Sequence, residues 1–514
     1  MPVNGQGSAE PSSDIGDSMT DAPSPANSAF AAMFRRTDVT EHQDRSLSSR
    51  WAFGMLGTIS QGLVRFLYSV LIGRFLGPIV LANVNSGISL ALLLSLLWPT
   101  SSGQAATRYV AEFRGAEKLE QARAVATYLG RRVLVSGVLL ALVTVLASYF
   151  ILHLGLWTSI GSGALLLGFA GWSYARGVQY GAGLIVRASL WDTAGSLLAI
   201  VLLLGVLFFR AEPLLLLPLS IGYGAYAVIC WPRRSGEPLA KEVRATVNKF
   251  VTYGVLGTLS STGMLQLAMI WANFVGTKVD TGHFAAALSL ATPATMVART
   301  FSQVLFPSMA EATGRNDAAS LRRQTDVATR GMFIVMTGVF GTLALASPLV
   351  MLVLYGPSFS EADTLLAILL VAVLFTTLPI AAVNRLNSMG LHGARGVSLT
   401  AAGGLLLALL LWAVLGPPLG VLGIAIGYLC VVTATSAVPI LWAWRLDDQR
   451  WLGMVVRVIV GLSIAIGAFI AFRSFNAAPI LHAGSAILFA VAWFGINWRE
   501  IVRLKKFARP RASS

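Results

Sequence analysis

Apolar stretches of roughly 18 or more residues recur from Trp51 almost to the C-terminus, and a run of that length is what a helix needs to cross a membrane's hydrocarbon layer. Fourteen such spans can be laid along the chain, with cores at 51–73, 80–100, 130–152, 160–182, 190–209, 213–231, 250–274, 284–308, 331–354, 362–384, 397–415, 420–443, 455–472 and 480–497. The 514 residues are 55% hydrophobic and 12% charged, about half the charge of an ordinary soluble domain. A soluble globular fold is thereby excluded, and two cysteines exclude a disulfide framework. The expected fold class is an all-α polytopic membrane protein.

A net charge of +15 would suggest nucleic acid in a soluble protein. Here 32 of the 38 Lys and Arg residues fall on one side when the N-terminus is placed in the cytoplasm. That asymmetry follows the positive-inside rule and puts both termini inside, in a plasma or inner membrane. No nucleic acid partner is expected. Residues 1–50, rich in Ser, Pro, Asp and Ala, read as a disordered cytoplasmic tail. No cleaved signal peptide is expected near Met1; the first span serves as the insertion signal.

The segment Phe53-Gly-Met-Leu-Gly-Thr-Ile-Ser60 matches Tyr253-Gly-Val-Leu-Gly-Thr-Leu-Ser260, and Ala111-Glu-x-x-Gly115 matches Ala310-Glu-x-x-Gly314, at offsets of 200 and 199 residues. Both elements of each pair begin on the same side, so the repeats are parallel and imply two six-helix lobes around a central cavity, an arrangement typical of transporters. The expected organisation is an N-lobe over 51–231, a cytoplasmic loop over 232–249 and a C-lobe over 250–443. Two extra helices follow in 444–497, then a basic cytoplasmic tail in 498–514.

Several of these elements resemble a known family. Gly73-Arg-Phe-Leu-Gly-Pro78 is similar to the Gly-Arg-x-Leu-Gly element of polysaccharide flippases. Val304-Leu-Phe-Pro-Ser308 followed by Ala310-Glu-x-x-Gly314-Arg-Asn-Asp317 resembles that family's eighth-span exit, and Arg108-Tyr-Val-Ala-Glu112 its first-lobe counterpart. The resemblance covers about 51–440 and is to the multidrug/oligosaccharidyl-lipid/polysaccharide flippase superfamily. Fourteen spans are more like its lipid II flippases than its typical twelve-span drug exporters. The resemblance implies alternating-access translocation of a lipid-linked, diphosphate-bearing glycan to the outer leaflet. Anionic membrane lipids, and glycan synthesis or polymerisation proteins, are the further partners it implies.

Two arginines, Arg65 and Arg299, fall near the middle of spans, where a charge costs about 2.5–3.5 kcal/mol on insertion scales. Gly54, Thr58, Gln61, Arg65 and Ser69 share one helical face. Thr292, Thr295, Arg299 and Ser302 form a second stripe, and Thr258, Thr262, Gln266 and Asn273 a third. Arg65, Arg299, Gln61, Thr58, Gln266 and Asn273 are therefore the expected cavity residues, with guanidiniums suited to phosphate oxygens. Arg74 and Arg108 are candidate gate or headgroup contacts, and Pro99 and Pro293 candidate bending points.

No carboxylate is expected at mid-span: Asp192, Asp280 and Asp363 read as interfacial, at span ends. The His residues lack metal-ligand spacing, and no phosphate-cradling Gly loop is present. Neither a metal nor a cofactor nor an ATPase activity is expected. A cation-coupled multidrug antiporter of the same fold is the alternative, disfavoured by the missing mid-span carboxylate. A membrane glycan polymerase is disfavoured by the short outer loops, and a scaffold only indirectly by the duplication.

Overall fold

The computed structural model describes residues 36–39, 47–293, 305, 309, 312–313, 315, 317–389, 391–475 and 477–508. Apart from one bridge between Thr37 and Pro232, the regular structure of these residues is helical, as the lack of water in hydrocarbon requires of any chain that does not close a barrel. The helices are α1 (Leu47–Ser95), α2 (Pro99–Gly115), α3 (Leu119–Phe150), α4 (Leu156–Gly181), α5 (Ile185–Phe208) and α6 (Leu217–Ile229). Next come α7 (Lys241–Thr258), a π-helical segment (Leu259–Gly263), α8 (Met264–Val275) and α9 (Lys278–Ala291). The chain continues through α10 (Ala318–Leu345), α11 (Ser347–Leu354), α12 (Ala362–Thr377), α13 (Ile380–Ser388) and α14 (Leu391–Leu446). It ends in α15 (Leu452–Ser474), α16 (Pro479–Ile496) and α17 (Trp498–Ala508). Nine segments of the described chain are long and apolar enough to cross a membrane by themselves.

Two of those nine hold two passes each. A straight helix of α1's 49 residues would be about 74 Å long and one of α14's 56 residues about 84 Å, more than twice the hydrocarbon thickness. Each is instead a hairpin about one glycine. Gly77 has φ 81°, ψ −177° and Gly420 has φ 59°, ψ −140°, conformations that L side chains rarely adopt. Folding back brings Asn85 to 3.5 Å from Ser69 and lets Trp412 Nε1 donate to the Ile424 carbonyl at 3.1 Å. The turn at Gly276 follows Gly77 by the same interval that separates the Ala-Glu-x-x-Gly elements. Gly73 packs on Tyr355, Gly276 on Val421 and Gly282 on Pro78, so these turns gather at one end of the bundle.

Helices α1–α6 pack on one another, as do α8–α16. The seventh expected span joins the two sets: α7 lies against α2, whereas α8, beyond the π-helical segment, lies against α14 and α1. Helices α15 and α16 dock on α10. Trp493 Nε1 donates to the Ile334 carbonyl at 2.8 Å, and ring edges of Phe489 and Phe494 fill the space left by Gly341 and Gly338.

Two expectations are corrected, those for residues 36–39 and for Asp363, and the C-terminal stretch gains a helix. Residues 36–39 are not a free tail: Thr37 and Val39 are buried, Thr37 Oγ1 donates to the Cys230 carbonyl at 2.7 Å, and Asp38 pairs with Arg123 and Arg233. Their polar groups lash the ends of α3 and α6 together, a long-range pairing that local composition does not encode. Asp363 is not solvated at a span end, because its carboxylate accepts from Arg473 on α15. The basic C-terminal stretch includes α17, whose Ile501 and Leu504 pack against the core.

A Cβ at Gly77 or Gly420 meets no steric obstacle, so the strain of Gly77→Ala or Gly420→Ala is conformational alone and costs about 1–3 kcal/mol. Both variants are expected to lower the thermal unfolding midpoint in detergent. Gly205→Ala, in open space inside α5, is expected to leave it unchanged or raise it.

Candidate functional site

A cavity of about 560 Å³ lies between α1, α2, α4 and the α7–α8 pair. Its wall carries Gln61 and Arg65 from α1, Gln104 and Thr107 from α2, and Phe169, Trp172, Arg176 and Tyr180 from α4. The α7–α8 side contributes Thr258, Thr262 and Gln266. Trp172, Arg176 and Tyr180 recur every four residues and so stack along one helical face. The π-helical segment between Thr258 and Gln266 shifts the register there, a distortion frequent at functional sites.

Arg65 is half-buried. Its Nε donates to the Tyr223 hydroxyl at 3.1 Å, and its guanidinium lies 5.3 Å from the Phe169 ring centre and 5.9 Å from that of Tyr223. Phe169, Trp172 and Tyr223 pack with centroids 4.9–5.3 Å apart. Cation–π contacts of this kind are worth about 0.5–2 kcal/mol and hold the side chain without neutralising it. Among the described residues no carboxylate lies within ion-pair distance of Arg65. Below it, Arg176 Nε pairs with Asp192 Oδ2 at 2.8 Å. Asp192 Oδ1 also accepts from Trp172 Nε1 at 2.7 Å and from Gln61 Nε2 at 3.5 Å. Span 1 comes this close because residue 57 is glycine: a Cβ there would lie 2.9 Å from Ser189 Oγ and 3.1 Å from Asp192 Oδ2.

A narrow cleft of mixed lining continues from Arg65 and Gln266 past Ser69, Asn85, Ser89 and Ser289, between Phe66, Ile88, Leu92 and Leu288, to Thr292 and Pro293. Beyond it the Gly77 end is sealed. A Cβ at Gly73 would lie 2.5 Å from the Tyr355 ring, and Arg74 Nη1 donates to the Val353 and Leu354 carbonyls at 2.6 and 3.3 Å. Arg74 therefore ties α1 to the end of α11, across the two helix sets. At the opposite end Arg108 of α2 lies over Phe250 of α7, 4.9 Å from its ring centre, within the packing of α7 on α2. Pro99 opens α2 after a break at the end of α1.

The expected site residues are thus distributed unevenly. Gln61, Arg65 and Gln266 line the cavity. Arg299 and the side chain of Thr58 lie outside the described residues. Asn273 is corrected: it does not line the cavity, because its Oδ1 accepts from Lys278 Nζ at 3.0 Å near the Gly276 turn. Partial burial pushes that ammonium below its usual range. Asp192 is also corrected. It is fully buried two turns into α5, not solvated at a span end. Arg176, counted with the cytoplasmic charges, is in the cavity wall five residues before α4 ends. Position near a helix end hid both, although the spacing of Trp172, Arg176 and Tyr180 places these three on one face of α4.

Gly73→Leu would keep Tyr355 from closing over α1. A cysteine at Ser69 is then expected to react with a membrane-impermeant maleimide at least severalfold faster than in the parent.

Neither a family model nor a curated protein sequence matches the chain. Solved structures do. An inward-facing multidrug resistance MATE family transporter of the MOP superfamily superposes with a TM-score of 0.62 at 16% identity, over 75% of this chain and 94% of that one. The lipid II flippase MurJ, in an inward closed conformation, gives a TM-score of 0.64 at 14% identity over 88% and 99%. A MOP superfamily transporter from Pyrococcus furiosus, described as having a binding pocket of reverse polarity, gives 0.56 at 18% identity over 78% and 95%. The chain is a multi-pass membrane protein with the fold these MOP superfamily transporters share.

Proposed function

We propose that the chain is a flippase that moves a lipid-linked, polyprenyl-diphosphate glycan from the cytoplasmic to the outer leaflet by alternating access. The observation that carries this reading is the pair of cavity guanidiniums, Arg65 and Arg176, set on an aromatic wall. A guanidinium in the membrane interior is costly unless it meets water or an anion; Arg176 has Asp192, whereas Arg65 has no carboxylate partner among the described residues, and the planar fork of each suits phosphate oxygens. A diphosphate headgroup satisfies both while the polyprenyl tail stays in lipid. Tyr180, Gln61, Gln104 and Gln266 offer hydroxyl and amide groups to a sugar. The cleft beyond Arg65 is the exit route, closed by the Gly73–Tyr355 contact and Arg74. Opening it while the Arg108–Phe250 end closes would present the headgroup to the other leaflet. Positive-inside charge places the Gly77 end outside, and an inside-negative potential assists outward movement of an anion by about 2.3 kcal/mol per charge per 100 mV. Arg299 is assigned to the same cavity from the repeat. This cycle needs no ATPase of its own.

One observation favours a second reading, a cation-coupled exporter: Asp192 supplies a buried carboxylate within a membrane helix. The two readings differ in the charge of the cargo.

The test is a leaflet-accessibility assay in vesicles, offering polyprenyl-diphosphate sugars and, separately, a cationic dye. A charge-assisted hydrogen bond is worth about 1.5–3 kcal/mol. Arg65→Ala and Arg176→Ala are therefore each expected to slow diphosphate-lipid flipping by roughly tenfold or more. Unchanged flipping in both variants would remove the site. Transport of the dye with no movement of any diphosphate lipid would favour the exporter.

A further inference from the structure

The Arg176–Asp192 pair is asymmetric in a way the cavity alone does not explain. Asp192 has no solvent exposure, whereas the Arg176 side chain is 22% exposed and faces the cavity. An anion in the cavity can reach the guanidinium and cannot reach the carboxylate. Arg176 is also mounted to swing. Its Nη2 donates to the Tyr180 hydroxyl at 2.9 Å, and its guanidinium lies 5.3 Å from the Trp172 ring and 4.7 Å from the Tyr180 ring. That aromatic shelf supports the cation whether it points to Asp192 or into the cavity.

We propose that Arg176 is an exchangeable cation: it passes from Asp192 to an oxyanion of the bound diphosphate, and Asp192 takes up one proton in its place. This rests on the diphosphate reading above. An ionised carboxylate buried without a counter-cation is strongly disfavoured and neutralises instead. Groups from four helices surround Asp192. Helix α4 supplies Arg176 and, further off, Tyr180; α6 supplies Tyr226 and Cys230; α1 supplies Gln61, which is neutral, with Arg65 one turn beyond; and α5 itself carries Arg187. Among the described residues, Arg176 is the cation within ion-pair distance of this carboxylate. Once it leaves, Trp172 Nε1 and Gln61 Nε2 still hold the carboxyl oxygen Oδ1. The other oxygen, Oδ2, receives the proton. The balance is one proton bound from water as the ligand binds, and one released as the ligand departs and Arg176 returns.

Linkage fixes the sign: a ligand whose binding takes up a proton binds more tightly as pH falls. In a range where Asp192 is ionised in the empty protein and the ligand no longer titrates, affinity should weaken about tenfold per pH unit upward. The experiment is calorimetric titration of the full-length protein with farnesyl diphosphate, between about pH 7.5 and 8.5, in two buffers of different ionisation enthalpy. About one proton taken up per ligand is expected for the parent, and none for Asp192→Asn, which keeps the neutral form and still binds. Binding by the parent without proton uptake would overturn the exchange while leaving the diphosphate reading standing. Equal uptake by parent and Asp192→Asn would do the same. Failure of the parent to bind farnesyl diphosphate at all would overturn the diphosphate reading, and the exchange with it. Should Asp192→Asn not fold, the parent's stoichiometry and pH slope decide the matter.

Discussion

A charge inside hydrocarbon must be paired, wetted or moved, and this constraint organises the interior of the molecule. Asp192 is paired by Arg176 and braced by Trp172 and Gln61. At the periphery of the C-terminal half, Asp363 is paired by Arg473 and Asp447 by Arg385. Arg65 is the exception among these groups. It is held by a hydroxyl and two aromatic faces, contacts that fix its position and leave its charge for something that enters the cavity.

Holding a cavity open in a membrane bundle requires that the helices around it be anchored elsewhere. Small residues at close crossings do this where no hydrophobic force between helices exists. Gly73 admits Tyr355 at the sealed end, and Gly57 admits the Asp192 cluster against α1. The hairpins at Gly77 and Gly420 add a covalent constraint, since each forces two passes to lie side by side. Between the two helix sets, α9 packs closely on α1, with Gly282 against Pro78 and Gly73 under Tyr355, and Arg74 adds hydrogen bonds to the helix-end carbonyls of α11.

The sequence reading and the structure agree best where a signal is one-dimensional. Hydropathy located the nine apolar segments found among the described residues, the eighth expected span lying partly outside them, and the glycine in Arg-Phe-Leu-Gly-Pro78 lies where α1 turns. Arg65 and Gln61 were legible because they interrupt an apolar run with helical spacing. The Arg176–Asp192 pair was not. Its members flank the turn at Gly183, on successive helices, each within about two turns of a helix end. By position alone such residues are indistinguishable from solvated loop charges; only the packing of α4 on α5 and α1 shows that they face inward. Asn273 failed for the converse reason, as it continues the polar stripe of span 7 but is diverted to Lys278. The anchoring of residues 36–39 depends on groups as distant as Cys230, which no local pattern carries.

The proposed preference of the cavity for a diphosphate head is best tested by comparing the affinities of the purified protein for farnesyl diphosphate and farnesol, which share a tail and differ in the head. Guanidiniums that read the diphosphate predict at least tenfold tighter binding of the charged lipid, with the advantage lost in an Arg65→Gln, Arg176→Gln double variant. Equal affinity for the two lipids, or an advantage that survives the double substitution, would contradict it.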